Sequence, residues 1–371
     1  MKRTMFVSLL LGSMLMACTE IKHPSKNGYA QELKLTQEWD KVFAKSKKVD
    51  HKKVTFANRY GITLAADMYI PKDSAGKATK FAAIAVCGPF GAVKEQSSGL
   101  YAQHMAESGF LTIAFDPSFT GESGGEPRRM ASPDINTEDF LAAVDYLSNL
   151  ENVDPERIGI IGICGWGGMA LSAAALDPRI KATVASTMYD MSRIAAKGYF
   201  DMEDSREIRM QQRKMMARQR TEDYKNGTYL RAGGVPDTLS ADASSFLKHY
   251  HDYYKTSRGY HARSGNSNDG WNVVGTQSFL NYPLLAYADE IESPVLMIHG
   301  EKAHSRYFSE HAFEQMTGKN PKTAVWSGNS LFSDNKEFML VPGAYHTDLY
   351  DDFFQKIPYG KLEQFFKEYL K

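Results

Sequence analysis

"IGIIGICGWGGMAL", residues 158–171, opens as an apolar strand, turns on glycines and resumes as a helix of small residues. Strand, tight turn and helix in that order build a nucleophile elbow, which usually presents a serine at the turn. Here the turn residue is Cys164. Glycines at 162, 165, 167 and 168 remove side chains that would collide with the turn or with the packed helix. The helix N-terminus behind the thiol favours its anionic form, because backbone N–H groups and the macrodipole point at it. A lone cysteine can equally fill a small buried gap. Its place between Gly162 and a Gly-rich helix start makes Cys164 the candidate nucleophile instead.

Outward from the elbow, buried strands alternate with helical patterns. "FAAIAV" (81–86), "FLTIAFD" (110–116), residues 157–163 and "IKATVAS" (180–186) read as strands, with helices over 99–108, 132–150 and 168–176 between them. Continuous apolar strands separated by helices imply a mostly parallel central sheet covered on both faces. Residues 54–71 read as two further strands across a turn. The rhythm breaks between 191 and 291, where a strongly basic helical stretch precedes a segment crowded with Tyr and His. It resumes with "SPVLMIHG" (293–300), a helix over 306–316, "EFMLVPG" (337–343) and an amphipathic helix over 361–370. The chain therefore divides into core segments 51–190 and 292–371, with 191–291 inserted as a helical cap over the active-site edge.

The N-terminus is of a different kind. Lys2 and Arg3 precede an uncharged, mostly apolar run from Thr4 to Ala17, which reads as a signal segment, 1–17, too short to span a membrane comfortably. Leu15-Met16-Ala17-Cys18 resembles a bacterial lipobox, with Cys18 as the lipidated residue of the mature N-terminus. The expectation is a protein of the bacterial cell envelope held to a membrane by that lipid alone, with 18–50 as a tether carrying some helix; a simple secretion signal is the other reading. The chain has 44 basic and 44 acidic residues, a balance that suggests no nucleic-acid partner.

A thiol nucleophile needs a base, and His346 in "VPGAYHTDLY" (341–350) follows the last core strand, where this architecture puts it. The acid that would orient it is open. Ala303 stands where Asp is expected after Gly300, which leaves Glu301 first, Asp190 second, Asp348 third, or no acid at all. Gly165 supplies one oxyanion N–H; Phe90 or Gly91 supplies the other, since Pro89 has none. "GESGG" (121–125) also matches G-x-S-x-G, but Pro127 arrives before any helix, so Ser123 reads as part of a rim loop. Neither a metal nor an organic cofactor is implied. Tyr250, Tyr253, Tyr254, Tyr260 and Trp271 in the cap could stack on an aromatic acyl group or a sugar, or merely pack the lid.

Together "GPFGAVKEQ", "FDPSFTGESGGEPR", "GICGWGGMAL", "TMYD", "HGEKAHSRYFSE" and "PGAYHTDLYD" resemble the α/β-hydrolases, and within them the dienelactone-hydrolase-like and X-prolyl-peptidase-like bacterial branch. Dienelactone hydrolases use a Cys–His–Asp triad on lactones, which implies roles for Cys164 and His346; the peptidase relatives use serine. The activity implied is hydrolysis of a carboxylic ester, lactone or thioester through an acyl-enzyme on a small-molecule acyl substrate. Acyl transfer or peptide cleavage on the same machinery is the alternative, and a non-catalytic, lipid-anchored binding protein is the third.

Overall fold

A computed structural model describes residues 31–72 and 80–371. The signal segment and Cys18 lie outside the described residues. Among the described residues nine strands form one sheet in the order β1-β2-β4-β3-β5-β6-β9-β11-β10. Its centre is β3 (Phe81–Cys87), β4 (Leu111–Phe115), β5 (Val153–Ile163) and β6 (Ile180–Ser186), all parallel, continued by β9 (Val295–Gly300) and β11 (Lys336–Val341). Both faces are covered, so Ile158, Ile160, Ile161 and Ile163 on β5 are all fully buried. That is why these strands read as unbroken apolar runs rather than alternating ones. Helices α1 (Ser97–Glu107), α2 (Pro133–Ser148), α3 (Gly165–Leu176), α7 (Arg306–Thr317) and α8 (Tyr359–Tyr369) supply the cover. The fold is the expected α/β-hydrolase fold.

The edges were less legible. β1 (Val49–Ala57) and β2 (Thr63–Pro71) pair antiparallel over nine residues each, so the first strand begins five residues before its expected start. A four-residue strand, β10 (Ser330–Ser333), closes the far edge as a hairpin with β11 and had no counterpart in the sequence reading. Residues 31–48, the described part of the expected tether, contain no helix, and their second half is packed on the core. Trp39 and Phe43 pack on the core, the Val42 amide donates to the Glu95 carbonyl, and buried Lys41 pairs with buried Asp67 at 3.0 Å. A charged chain can be strapped to a core in this way when each buried cation finds its carboxylate.

Between β6 and β9 lie α4 (Met191–Lys197), α5 (Arg206–Asn226) and α6 (Ser245–Tyr254), with a 3-10 segment at Val273–Leu280. A two-residue strand pair, β7 (Arg231–Ala232) and β8 (Trp271–Asn272), ties the loops together. α5 is polar nearly all round; only Met216 and Asp223 are buried. It is held by its caps, with Ser205 accepting from the Ile208 amide and Gly227 closing the end in the left-handed region.

Candidate active site

Cys164 sits between β5 and α3 with φ 57° and ψ −126°. Such a conformation in a non-glycine residue stores about 1–3 kcal/mol and persists only where the surroundings over-determine it. They do so here. The Cys164 amide donates to the Ser186 carbonyl at 2.9 Å, and its carbonyl accepts from the amides of Gly167 at 2.9 Å and Tyr189 at 2.8 Å. The neighbouring glycines leave room: a Cβ at Gly162 would strike the Trp166 carbonyl, and one at Gly167 would strike Met188.

The sulfur is met by the backbone N–H groups of Gly165 and Phe90 and by the Tyr350 hydroxyl. Phe90 rather than Gly91 is therefore the amide directed at it. Asn266, from the cap, steadies that loop by donating to the Phe90 carbonyl at 2.7 Å. Burial nonetheless dominates and pushes the thiol up to about 11. The sequence led us to expect a helix terminus that favours the thiolate. The amides do act in that direction, but the desolvation of a thiol in a residue only 7% exposed outweighs them.

His346 is 2% exposed. Its Nε2 lies 2.8 Å from the Tyr350 hydroxyl. Its Nδ1 lies 2.6 Å from Ser305 Oγ and 2.9 Å from Thr187 Oγ1. Ser305 Oγ in turn is 2.9 Å from His299 Nε2, and His299 Nδ1 is 2.7 Å from Ser309 Oγ. Burial, with His304 and His299 alongside, holds His346 well below the usual imidazole range. Burial likewise brings His299 down to about 3.

None of the three expected acids is bonded to this ring. Glu301 is exposed and its carboxylate accepts from the Gly343 amide at 2.7 Å, because the chain after β9 turns it toward the rim. Asp190 caps α4, accepting from the amides of Ser192 and Arg193 and from the Ser192 hydroxyl. Asp348 closes its own turn on the Tyr345 amide at 2.8 Å. The position beside Nδ1 belongs to hydroxyls. Tyr350, Ser305, Thr187 and His299 were all missed in the sequence, although Tyr350 stands only four residues past His346.

Cys164 opens onto a cavity of about 340 Å³ roofed by the cap. Tyr189, Tyr199, Phe246, Tyr250, Tyr254 and Trp271 form much of its wall, and no charged side chain lines it among the described residues. Of the five cap aromatics singled out above, Tyr250, Tyr254 and Trp271 reach it. Tyr253 packs on Tyr350 with ring centroids 5.1 Å apart, and Tyr260 is exposed. His346 does not line this cavity; it borders a separate one of about 120 Å³ with His249, Lys302 and His304.

Ser123 is committed elsewhere. Its hydroxyl donates to the Asp116 carbonyl at 2.6 Å and accepts from the Ala65 amide at 2.8 Å, which makes it a loop brace. Beside it Glu95, Asp116 and Glu122 converge closely enough to share a cation. The Lys94 ammonium meets all three, at 2.6, 2.8 and 2.6 Å respectively.

An uncharacterised protein of Pseudomonas aeruginosa, PA2218, is 54% identical over 345 residues, 92% of this chain and 87% of its own. Its crystal structure superposes with a TM-score of 0.83 at 53% identity, covering 91% of this chain and 99% of that one. The α/β hydrolase GrgF from Penicillium superposes with a TM-score of 0.67 at 18% identity over 86% of this chain and 99% of that one, a likeness of fold. The thiohydrolase aneE of Aspergillus aculeatus is 33% identical over 131 residues, 35% of this chain and 39% of its own. The profile of the X-Pro dipeptidyl-peptidases (S15 family) matches residues 60–331, and the chain belongs to that family of α/β-hydrolase enzymes.

Proposed function

We propose that the protein hydrolyses carboxylic esters or thioesters of neutral, apolar acyl groups, lactones among them, through an acyl-enzyme on Cys164. One observation carries this reading: Cys164 is held at a strained turn, on the floor of an apolar cavity, with the amides of Gly165 and Phe90 directed at its sulfur. In this reading Cys164 attacks the acyl carbon and the two amides receive the oxyanion. His346 takes the thiol proton and later gives a proton to the leaving group. The cavity wall selects the substrate. A dipeptidyl-peptidase substrate brings an N-terminal ammonium that needs a carboxylate partner, because a buried charge without one is costly. Among the described residues the wall offers none, and Cys164 stands where the peptidase relatives use serine. Release of a thiol from a thioester, the chemistry in the name of the fungal relative, suits a neutral pocket better.

The reading extends to location: export and lipid anchoring through Cys18 rest on residues 2–18. The catalytic part is tested with p-nitrophenyl and N-acetylcysteamine esters of apolar acids, following acyl-enzyme by intact-protein mass spectrometry. Wild type gains one acyl group on Cys164. Cys164→Ala gains none and loses about 10³-fold or more in kcat/KM. Full turnover by that variant would remove the proposal.

A further inference from the structure

The nucleophile and the base proposed above do not share a chamber. Cys164 and Tyr350 line the 340 Å³ acyl cavity, whereas His346 borders the 120 Å³ cavity behind it. Among the described residues the Tyr350 hydroxyl stands between the two, meeting the Cys164 sulfur on one side and His346 Nε2 at 2.8 Å on the other. On the far side of His346, where an acid is expected, stand Ser305 and then His299.

The hydrogens along this path can all be placed in one direction. Cys164 S–H donates to the Tyr350 oxygen, and Tyr350 O–H donates to His346 Nε2. His346 Nδ1–H donates to Ser305 Oγ, Ser305 O–H to His299 Nε2, and His299 Nδ1–H to Ser309 Oγ. Every nitrogen and oxygen is then satisfied with all residues neutral. A burial this deep demands that, since an unpaired polar group would cost about 1–3 kcal/mol. Thr187 Oγ1 also faces Nδ1, at 2.9 Å, and the other groups around His346 are Tyr189 at a ring distance of 5.1 Å, Tyr250 at 5.5 Å and His304 at 5.5 Å, with His249 and Lys302 bordering the same 120 Å³ cavity.

We propose that Tyr350 is a catalytic proton carrier between Cys164 and His346, and that Ser305 backed by His299 holds the His346 tautomer in place of a carboxylate. This deepens the acyl-enzyme reading and rests on it. In acylation the Cys164 proton passes to the Tyr350 oxygen as the Tyr350 proton passes to His346 Nε2. Sulfur bonds to the acyl carbon and the electron pair moves onto the carbonyl oxygen. Collapse breaks the bond to the leaving alkoxide or thiolate, which recovers the proton from His346 through Tyr350. Water enters by the same sequence in reverse, and the free thiol is restored. Ser305 and His299 are positioning residues.

Tyr350→Phe keeps the ring and removes only the carrier oxygen. The expected result is a fall of about 10²-fold or more in the acylation rate, with KM within about threefold and the far-ultraviolet spectrum unchanged. The wild-type proton inventory in mixed H2O/D2O is bowed, as two moving protons require, and the residual rate of the variant gives a straight line. Ser305→Asp puts a carboxylate beside Nδ1 and raises the acid limb of the pH–rate profile by about 1–3 units. A Tyr350→Phe enzyme acylating at more than half the wild-type rate overturns the carrier role, and an unmoved acid limb in Ser305→Asp overturns the positioning role. Cys164→Ala, run in parallel, separates the two levels. Loss there with retention in Tyr350→Phe rejects the relay only, while retention in Cys164→Ala rejects the acyl-enzyme beneath it.

Discussion

At Cys164 two effects oppose one another, and their sizes decide the resting state. The turn aims two amides at the sulfur, which favours charge; burial disfavours it and wins, pushing the thiol up to about 11. His346 is pushed the other way by the same burial. The pair therefore rests as thiol and neutral imidazole, and charge appears only as the reaction proceeds. Iodoacetamide labelling of Cys164, followed at that residue by mass spectrometry, should rise about tenfold per pH unit from roughly pH 6 to 9, as for a thiol titrating above that range. A plateau near neutrality would reveal a preformed thiolate–imidazolium pair and contradict the neutral one. Cys164, Gly165 and Phe90 could be recognised as neighbours from the sequence, and His346 placed near the same sheet edge, because an elbow is a local pattern and the loops around it come in a fixed order. Ser305, Thr187 and Tyr350 could not. A hydroxyl has no spacing signature, and these three come from separate loops that meet only when β6, β9 and β11 align.

At the scale of elements, the central strands were legible because burial on both faces forces an apolar run. The strap over 31–48 was not, since its sequence is mostly polar and much of its attachment is ionic. Arg263 of the cap reaches Asp40 of the strap at 2.6 Å and Glu95 of the core at 2.8 Å. Lys94 and Lys53 complete a cluster with Glu122, whose carboxyl burial alone would raise; the two ammonium groups instead bring it down to about 2. A depressed carboxyl stabilises the fold above its unfolded value of about 4.3 and ceases to do so as pH falls toward the folded value. Glu122→Gln should therefore melt below wild type at pH 6. The gap between the two should close between about pH 4.5 and 2, as read by calorimetry. A gap independent of pH would assign the loss to packing rather than to the ionised carboxylate.

If Cys18 carries a lipid, as proposed above, the strap also sets how far the whole molecule can stand from a membrane. If 18–50 were a loose tether, the body would swing on more than thirty residues. Residues 39–48 are fixed to the core, Thr36 is bonded to Glu122 and the Gln31 amide is bonded to Thr63, so no more than the thirteen steps from Cys18 to Gln31 separate Cys18 from the body. Thirteen residues reach at most about 45 Å. A lipid on Cys18 would thus hold the enzyme close to the surface without shaping its active site, since the cavity draws its wall from 90 onward. One acyl chain gives only marginal binding, and stable anchoring needs more than one chain or a second attraction. Export to the envelope with a multiply acylated Cys18 should therefore place the wild-type protein in the membrane fraction. Cys18→Ser should move it to the soluble fraction, with kcat/KM on a water-soluble ester unchanged within about twofold. If the variant stays with the membrane, the attachment lies in the body itself, and the exposed, basic α5 becomes the surface to examine.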